Sequence, residues 1–296
     1  MSNASQSQEY LETYYRDTLH HDNKRASLKG DIQTDICVIG GGLAGLSTAI
    51  GLTEKNKDVT LIEANRIGWG ASGRNGGFVA KGFAAGYRPL VKKVGLEHTK
   101  ALHKLANHGR AQIKERIKKY NINCGPIIDG VLGVSWNNHP ETVREYVDWM
   151  RESFNAPLEF WEKEKIRDLC KTEQYFDGFY SPEDYQFHPL NYVHGLAKEI
   201  EEQGGKIFES TRAIKIHEKG SGYKVETPQG TIKCNQVVLC CSIYVDDLNK
   251  KLKYAAFPVY TYVMVTKPID PDILDQALNT NYSIFDNRYA QDYYRR

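Results

Sequence analysis

Three apolar runs near the start of the chain set its organisation. TDICVIG, residues 34–40, is a short continuous run of the kind that forms a buried strand. GGLAGLSTAIGLTEKN opens on glycines and then carries small and apolar residues at helical spacing, and DVTLIEA is a second short apolar run. Strand, helix and strand in that order form a βαβ unit, which implies a parallel sheet covered on both faces, with ligands received at the carboxyl ends of its strands. Residues 1–30, by contrast, are polar and Tyr-rich with no sustained period, which predicts an arm packed on the body.

The texture changes after Gly86. Leu102, Leu105, Ala106, Ile113 and Ile117 recur at helical spacing among Lys and Arg residues, predicting an amphipathic helix whose basic face is solvated. IIDGVLGVSW reads as a strand and HPETVREYVDWMRES as a helix with Pro140 in its first turn. Around Pro189 the first pattern resumes: LNYVHGLAKEIEEQ as helix, GKIFES and AIKIHE as strands, YKVETPQGTIKC as a hairpin turning near Gly230, and NQVVLCCS as another buried strand. From Phe257 the alternating FPVYTYVMVTKP predicts one further strand. Two interleaved domains follow, the first from residues 31–86 and 187–250, the second from 87–186 and 251–296.

Composition narrows the partners. With 39 Lys and Arg against 37 Asp and Glu, the charge balance is too even for a nucleic-acid or anionic-membrane binder, which leaves small molecules or proteins. No apolar run reaches the roughly 18 residues of a membrane span, and MSNASQSQEY has no apolar signal core, so a cytoplasmic protein is expected. The six cysteines show no metal-ligand spacing; no metal is expected, and Cys240-Cys241 reads as buried thiols rather than a redox pair.

The candidate chemistry sits on the first turn. Gly40, Gly42 and Gly45 form G-x-G-x-x-G between predicted strand and predicted helix. Gly40 allows the tight turn, Gly42 lets the backbone approach a pyrophosphate, and Gly45 permits close helix–strand packing at a helix N-terminus that favours phosphate. Glu63 ends the second strand eighteen residues after Gly45, where an acidic group accepts hydrogen bonds from a ribose and disfavours a 2′-phosphate. The motif alone does not separate FAD from NAD. The following RIGWGASGRNGGFV does: its loop of Gly, Ser and Asn exposes N–H groups that could wrap further pyrophosphate and reach a flavin.

With these residues in view the chain resembles the D-amino-acid-oxidase superfamily and, within it, the gamma-glutamylputrescine oxidoreductases. The resemblance runs through YYRDTLHH, DICVIGGGLAGLSTAIGL, LIEANRIGWGASGRNGG, FHPLNYVHGLAKEI, VVLCCSIYV and FDNRYAQDYYRR. It implies an α/β fold: a Rossmann-like FAD-binding domain interleaved with an α+β substrate domain. It puts Gly40, Gly42, Leu43, Ala44 and Gly45 on the pyrophosphate, Glu63 and Ala64 on the ribose, and Ala71, Ser72, Asn75, Gly76 and Gly77 along the rest of FAD. Ala213 stands where relatives offer a main-chain contact to the adenine. Where many relatives read A-T-G after the VVL strand, this chain reads Cys240-Cys241-Ser242, which puts a close backbone approach at Ser242 in question.

The activity implied is oxidation of an amine CH–NH group, such as that of gamma-glutamylputrescine, by hydride transfer to flavin, with the imine then hydrolysed and oxygen as reoxidant. No protein nucleophile is required and no catalytic residue stands out. Arg74, Tyr293, Tyr294 and Arg295 are candidates for substrate contact, while His188 reads as a packing residue. Family members continue for over a hundred residues beyond the position of Arg296, so a poor enzyme is expected of the 296 residues alone. The alternative from another class is a non-catalytic remnant or partner subunit that keeps the nucleotide-binding fold. An NAD-dependent dehydrogenase is disfavoured by the GASGRNGG loop.

Overall fold

The computed structural model describes residues 8–296, so the first seven residues of the expected arm lie outside the described residues. In chain order the strands are β1 (Ile32–Ile39), β2 (Val59–Ile62), β3 (Phe78–Val79), β4 (Ile128–Val134), β5 (Glu159–Trp161), β6 (Gly178–Gln186), β7 (Lys206–Phe208), β8 (Lys215–Lys219), β9 (Gly222–Thr227), β10 (Gly230–Leu239), β11 (Ser283–Asp286) and β12 (Tyr293–Tyr294). They fall into two sheets, each at the heart of one compact unit. The first unit takes the described residues up to Asn75 with 120–124 and 189–263, and the second takes 76–119, 125–188 and 264–296. The fold is α/β, a Rossmann-like region interleaved in sequence with a mixed α+β region.

The first unit holds the sheet ordered β7-β2-β1-β10-β9-β8. β7, β2, β1 and β10 run parallel, and β9 and β8 complete it as an antiparallel ribbon. From β1 the chain crosses through the helix Leu43–Thr53 to β2 on one side, while β10 lies on the other side of β1. This is the point of divergence at which doubly wound sheets leave a crevice beyond the strand ends. The central strands β1 and β2 end in fully buried residues (Cys37, Val38, Leu61, Ile62), as a strand covered on both faces requires. Leu28, Cys37, Ile39, Ile62, Ala213, Val225, Ile232 and Cys234 form one core cluster, so the arm contributes Leu28 to it. The helix Pro189–Glu202 packs on the helix Leu43–Thr53. Residues 120–124 join this unit because Gly195 leaves room for Ile122, whose Cγ2 would lie 2.3 Å from any Cβ there.

The second unit is built on the sheet β12-β11-β4-β6-β3, with β5 added to β6. Trp161 stacks on Tyr180 with ring centroids 4.6 Å apart, and Lys165 places its ammonium 3.3 Å from the Trp161 ring.

Three sequence expectations are corrected. FPVYTYVMVTKP forms no strand: from Phe257 to Pro268 the side chains are exposed, Phe257 to 88% and Met264 to 93%. Alternation shows compatibility with a sheet, but a strand also needs a neighbour's ladder of hydrogen bonds, and no strand among the described residues pairs with this segment. NQVVL is not a separate buried strand; it continues β10 and is only half-buried at Val237–Leu239, because β9 pairs with β10 only as far as Cys234. Finally, Leu105 on the helix Leu96–Lys119 is exposed, while Thr99, His103 and Arg116 are buried. Part of that helix's inward face is polar: Arg110 reaches Glu183 at 2.8 Å and Asp184 at 3.2 Å, contacts that an apolar periodicity does not register. No helix among the described residues is long and apolar enough to cross a membrane.

Candidate cofactor site

β1 ends at Ile39, and the chain turns through Gly40 with φ +114°, a conformation L side chains rarely adopt. A Cβ on Gly40 would sit 2.5 Å from the Cys240 carbonyl oxygen, and one on Gly45 would sit 1.8 Å from the Gly40 carbonyl oxygen. Both obstacles are backbone, so these two glycines are required by how closely helix, turn and β10 approach. Gly42 is different. Its nearest neighbour would be Oγ of Ser72 at 2.8 Å, a side chain that can rotate away. The same hydroxyl accepts a hydrogen bond from Leu43 N at 2.9 Å, so Ser72 stands at the N-terminus of the helix Leu43–Thr53. Ala44 is exposed in that first turn. N–H groups of a first turn have no partner within the helix and carry partial positive charge, which is where a phosphate is stabilised.

Glu63 follows β2 directly. Its Oε2 accepts from Gly41 N at 2.6 Å and its Oε1 from Asn65 N at 2.8 Å, so the carboxylate braces the glycine turn from beside it. Burial pushes its pKa up, against the pull of those two backbone groups. Each carboxylate oxygen can accept a second hydrogen bond, which leaves capacity for a hydroxyl ligand. Ala64 follows it in a half-buried position. Ala213 lies in the core cluster, two residues after Thr211, whose N–H donates to Glu63 O at 2.8 Å.

Beyond Glu63 the loop folds on itself. Gly68 N donates to Gly41 O at 2.9 Å, and a tight 3-10 turn covers Ala71–Gly73. Asn75 donates through Nδ2 to Ala71 O and Ser72 O, each at 3.0 Å. Arg74 is turned back on its own loop, with Nε 3.3 Å from Gly70 O and its guanidinium 4.9 Å from the Trp69 ring. The structure therefore brings Gly40, Gly42, Leu43, Ala44, Gly45, Glu63, Ala64, Ala71, Ser72 and Asn75 into one connected stretch of the first unit. Gly76 and Gly77 belong to the second unit. There Gly77 has φ +75° and the Tyr293 ring lies against Gly76, where a Cβ would be 2.7 Å from Cε2. Tyr293 also meets Phe78 edge-on at 5.7 Å. Arg295 is held by Gln186 at 3.1 Å, and Tyr294 is tied to Tyr175 and Cys170, with burial raising its phenol pKa. His188 is buried.

The Cys240-Cys241-Ser242 departure has a visible consequence. Ser242 sits at φ +51°, in the left-handed region, while Cys240 N donates to Ile39 O at 2.8 Å. The backbone keeps the glycine-like conformation and the serine bears its cost. Ser242→Gly is therefore expected to stabilise the protein by about 1 kcal/mol, read as a raised melting temperature; an unchanged or lowered value would remove strain at this position. Both cysteines are free thiols, with Cys241 Sγ 3.3 Å from Ile39 O.

Sequence reasoning did not single out Arg66 and Glu209, which are 2% and 1% exposed and joined at 2.9 Å. Glu209 just after β7 repeats the placement of Glu63 just after β2, and an acidic residue closing an apolar strand was the signal available.

The family profile described as FAD dependent oxidoreductase matches residues 35–296. A probable oxidoreductase, OrdL, from Haemophilus influenzae is 31% identical over 97% of this chain and 68% of its own length. The gamma-glutamylputrescine oxidoreductase of Escherichia coli is 29% identical over 97% of this chain and 67% of its own length. Among solved structures, L-proline dehydrogenase from P. horikoshii aligns at TM-score 0.66 with 19% identity, covering 91% of this chain and 68% of that one. Glycine oxidase from Bacillus cereus aligns at 0.57 with 21% identity, covering 73% and 57%. The chain belongs to the FAD-dependent oxidoreductase family, and FAD is its cofactor.

Proposed function

We propose, from the chain's membership of the FAD-dependent oxidoreductase family, that it serves oxidation of the CH–NH bond of an amine or amino acid, with a gamma-glutamyl amine as the finer assignment. The observation that carries the cofactor side of this reading is the glycine turn at the end of β1, closed by Glu63 and capped by Ser72; the CH–NH reaction rests on the family match. The turn fits the adenosine-pyrophosphate half of FAD: a first helical turn for phosphate, and a carboxylate with spare acceptor capacity for ribose. The E. coli relative's name supports the finer assignment.

In this reading Gly42, Leu43, Ala44 and Gly45 hold the pyrophosphate, and Ser72 gives up the Leu43 N–H or shares it. Glu63 and Ala64 hold the ribose, Ala213 offers main chain to the adenine, and Ala71, Asn75, Gly76 and Gly77 line the remainder. Bound FAD supplies the hydride acceptor. The protein binds the neutral amine, orients its CH–NH bond and excludes water, so that the imine is released to hydrolysis. Tyr293, whose ring covers Gly76, is the candidate for orienting the substrate. Arg74 would pair with a substrate carboxylate by leaving its contact with Gly70.

The visible spectrum of purified protein with and without added FAD, and peroxide release with gamma-glutamylputrescine beside other amines, test this reading. Absence of flavin binding would sink it; turnover of other amines alone would sink only the finer assignment. Gly42→Leu is expected to abolish FAD binding in equilibrium titration while the protein stays folded, because its nearest obstacle is a rotatable hydroxyl; unchanged affinity would remove this turn from the site. Glu63→Gln is expected to weaken FAD by about 1–2 kcal/mol, and also to lower the stability of the cofactor-free protein. One of the two N–H donors it now satisfies would face an amide NH₂ instead. A shift within error in both measurements would contradict this role.

A further inference from the structure

The arm touches the cofactor loop at one short stretch. Gln8 N donates to Asn65 Oδ1 at 2.9 Å, and Trp69 Nε1 donates to Glu9 O at 3.0 Å. Tyr10 donates its hydroxyl to Ile67 O at 2.5 Å and meets Nε2 of His194 at 2.7 Å. Arg66 takes a carboxylate on each nitrogen: Glu9 at 3.0 Å and Asp22 at 2.6 Å, both from the arm, and Glu209 at 2.9 Å from the loop after β7. Its guanidinium also lies 4.9 Å from the Tyr10 ring. Glu209 in turn accepts Ile67 N at 2.7 Å and Arg25 N at 2.9 Å, so the arm is fixed at both ends of the stretch.

What this stretch carries gives the contacts their meaning. Gly68 N donates to Gly41 O, a Cβ on Gly41 would meet Ile67 Cδ1 at 2.7 Å, and four residues after Gly68 comes Ser72 on Leu43 N. The arm is thus one residue removed from the glycine turn. Among the arm's described residues, Tyr15 and Leu28 are the buried hydrophobic ones, so the arm brings little to the core.

We propose that Glu9, Tyr10 and Asp22 are positioning residues for FAD: through Arg66 and the Ile67 carbonyl they hold residues 65–72 in the geometry the cofactor requires, so that docking of the arm and binding of FAD are coupled. This rests on the FAD reading of the site. A loop already held in its binding geometry gives up less conformational freedom when ligand arrives, and the coupling is reciprocal, so FAD must steady the arm as much as the arm favours FAD.

Two measurements decide it, both on the full chain well below its melting temperature. Tyr10→Phe keeps the ring over Arg66 and removes the hydroxyl bridge; the Kd for FAD is expected to rise about threefold to tenfold, and further in Glu9→Gln/Asp22→Asn. In the wild type, trypsin cleavage within the arm, at Arg16 or Lys24, is expected to slow when FAD is saturating. A role confined to overall stability would lower the melting temperature without moving the Kd of the folded protein. Unchanged Kd in Tyr10→Phe together with cleavage indifferent to FAD would overturn the coupling and leave the FAD reading intact. Failure of the wild type to bind FAD would overturn both. If the double variant does not fold, Tyr10→Phe and the cleavage rates still decide.

Discussion

Gly45→Ala is expected to cost about 3 kcal/mol or more of stability and to abolish FAD binding, a larger loss than Gly42→Ala. The added carbon would lie 1.8 Å from the Gly40 carbonyl oxygen, with the Gly40 carbonyl carbon at 3.1 Å and Cys240 Cβ at 3.4 Å. Non-bonded atoms settle near 3.5 Å, so the helix Leu43–Thr53 would have to withdraw from the turn by more than an ångström. That withdrawal carries the first-turn N–H groups away from the crevice, and it also loosens the buried side of the helix, Leu46, Ala49 and Ile50. Overpacking against backbone leaves no side chain to absorb the strain. Gly42→Ala serves as the contrast: only Ser72 Oγ is close, and a small stability change is expected. Denaturant unfolding of both variants checks the difference. Equal midpoints would mean that helix and turn are not in contact as described.

Glu209→Ala carries the second large effect, about 3–5 kcal/mol of stability. Glu209 satisfies Arg66 Nε, Ile67 N and Arg25 N at once, and neither it nor Arg66 is open to water. Truncating it leaves buried N–H donors unsatisfied and part of the Arg66 charge uncompensated, whereas Glu9 and Asp22, the remaining partners, are themselves well exposed. The attraction within such a pair mostly offsets the cost of burying it. A double-mutant cycle with Arg66→Met should therefore show a double variant less destabilised than the sum of the singles, by about 1 kcal/mol or more. Simple additivity in denaturant unfolding would show that the pair is not coupled.

Much of the geometry of the glycine turn was legible because its demands are local. A tight turn and a close helix–strand approach each exclude a side chain, at Gly40 and Gly45, and the sequence shows glycines at that spacing. Glu63 was legible for the same reason, since the end of a strand is a place sequence can mark. Its bracing of Gly41 was not, because a carboxylate reads the same whether it waits for a ribose or already serves a backbone N–H. Ser72 is similar: the loop was evident, but not that its hydroxyl would cap Leu43 from twenty-nine positions away. The strand expected from Phe257 failed for a different reason. Alternating residues report a preference, and pairing depends on a neighbour that the pattern does not name.

The sequence by itself determined the βαβ unit, its glycine turn, the interleaving of two patterns and the family, because periodicity and steric exclusion act over a few residues. Only the tertiary structure decided which distant groups meet. Arg66 and Glu209 are 143 positions apart, and Tyr10 and His194 are 184 apart. Hydrogen bonds of this kind depend on where the packed sheet and helices deliver each side chain, and burying a charge is tolerable only where its partners have been delivered as well.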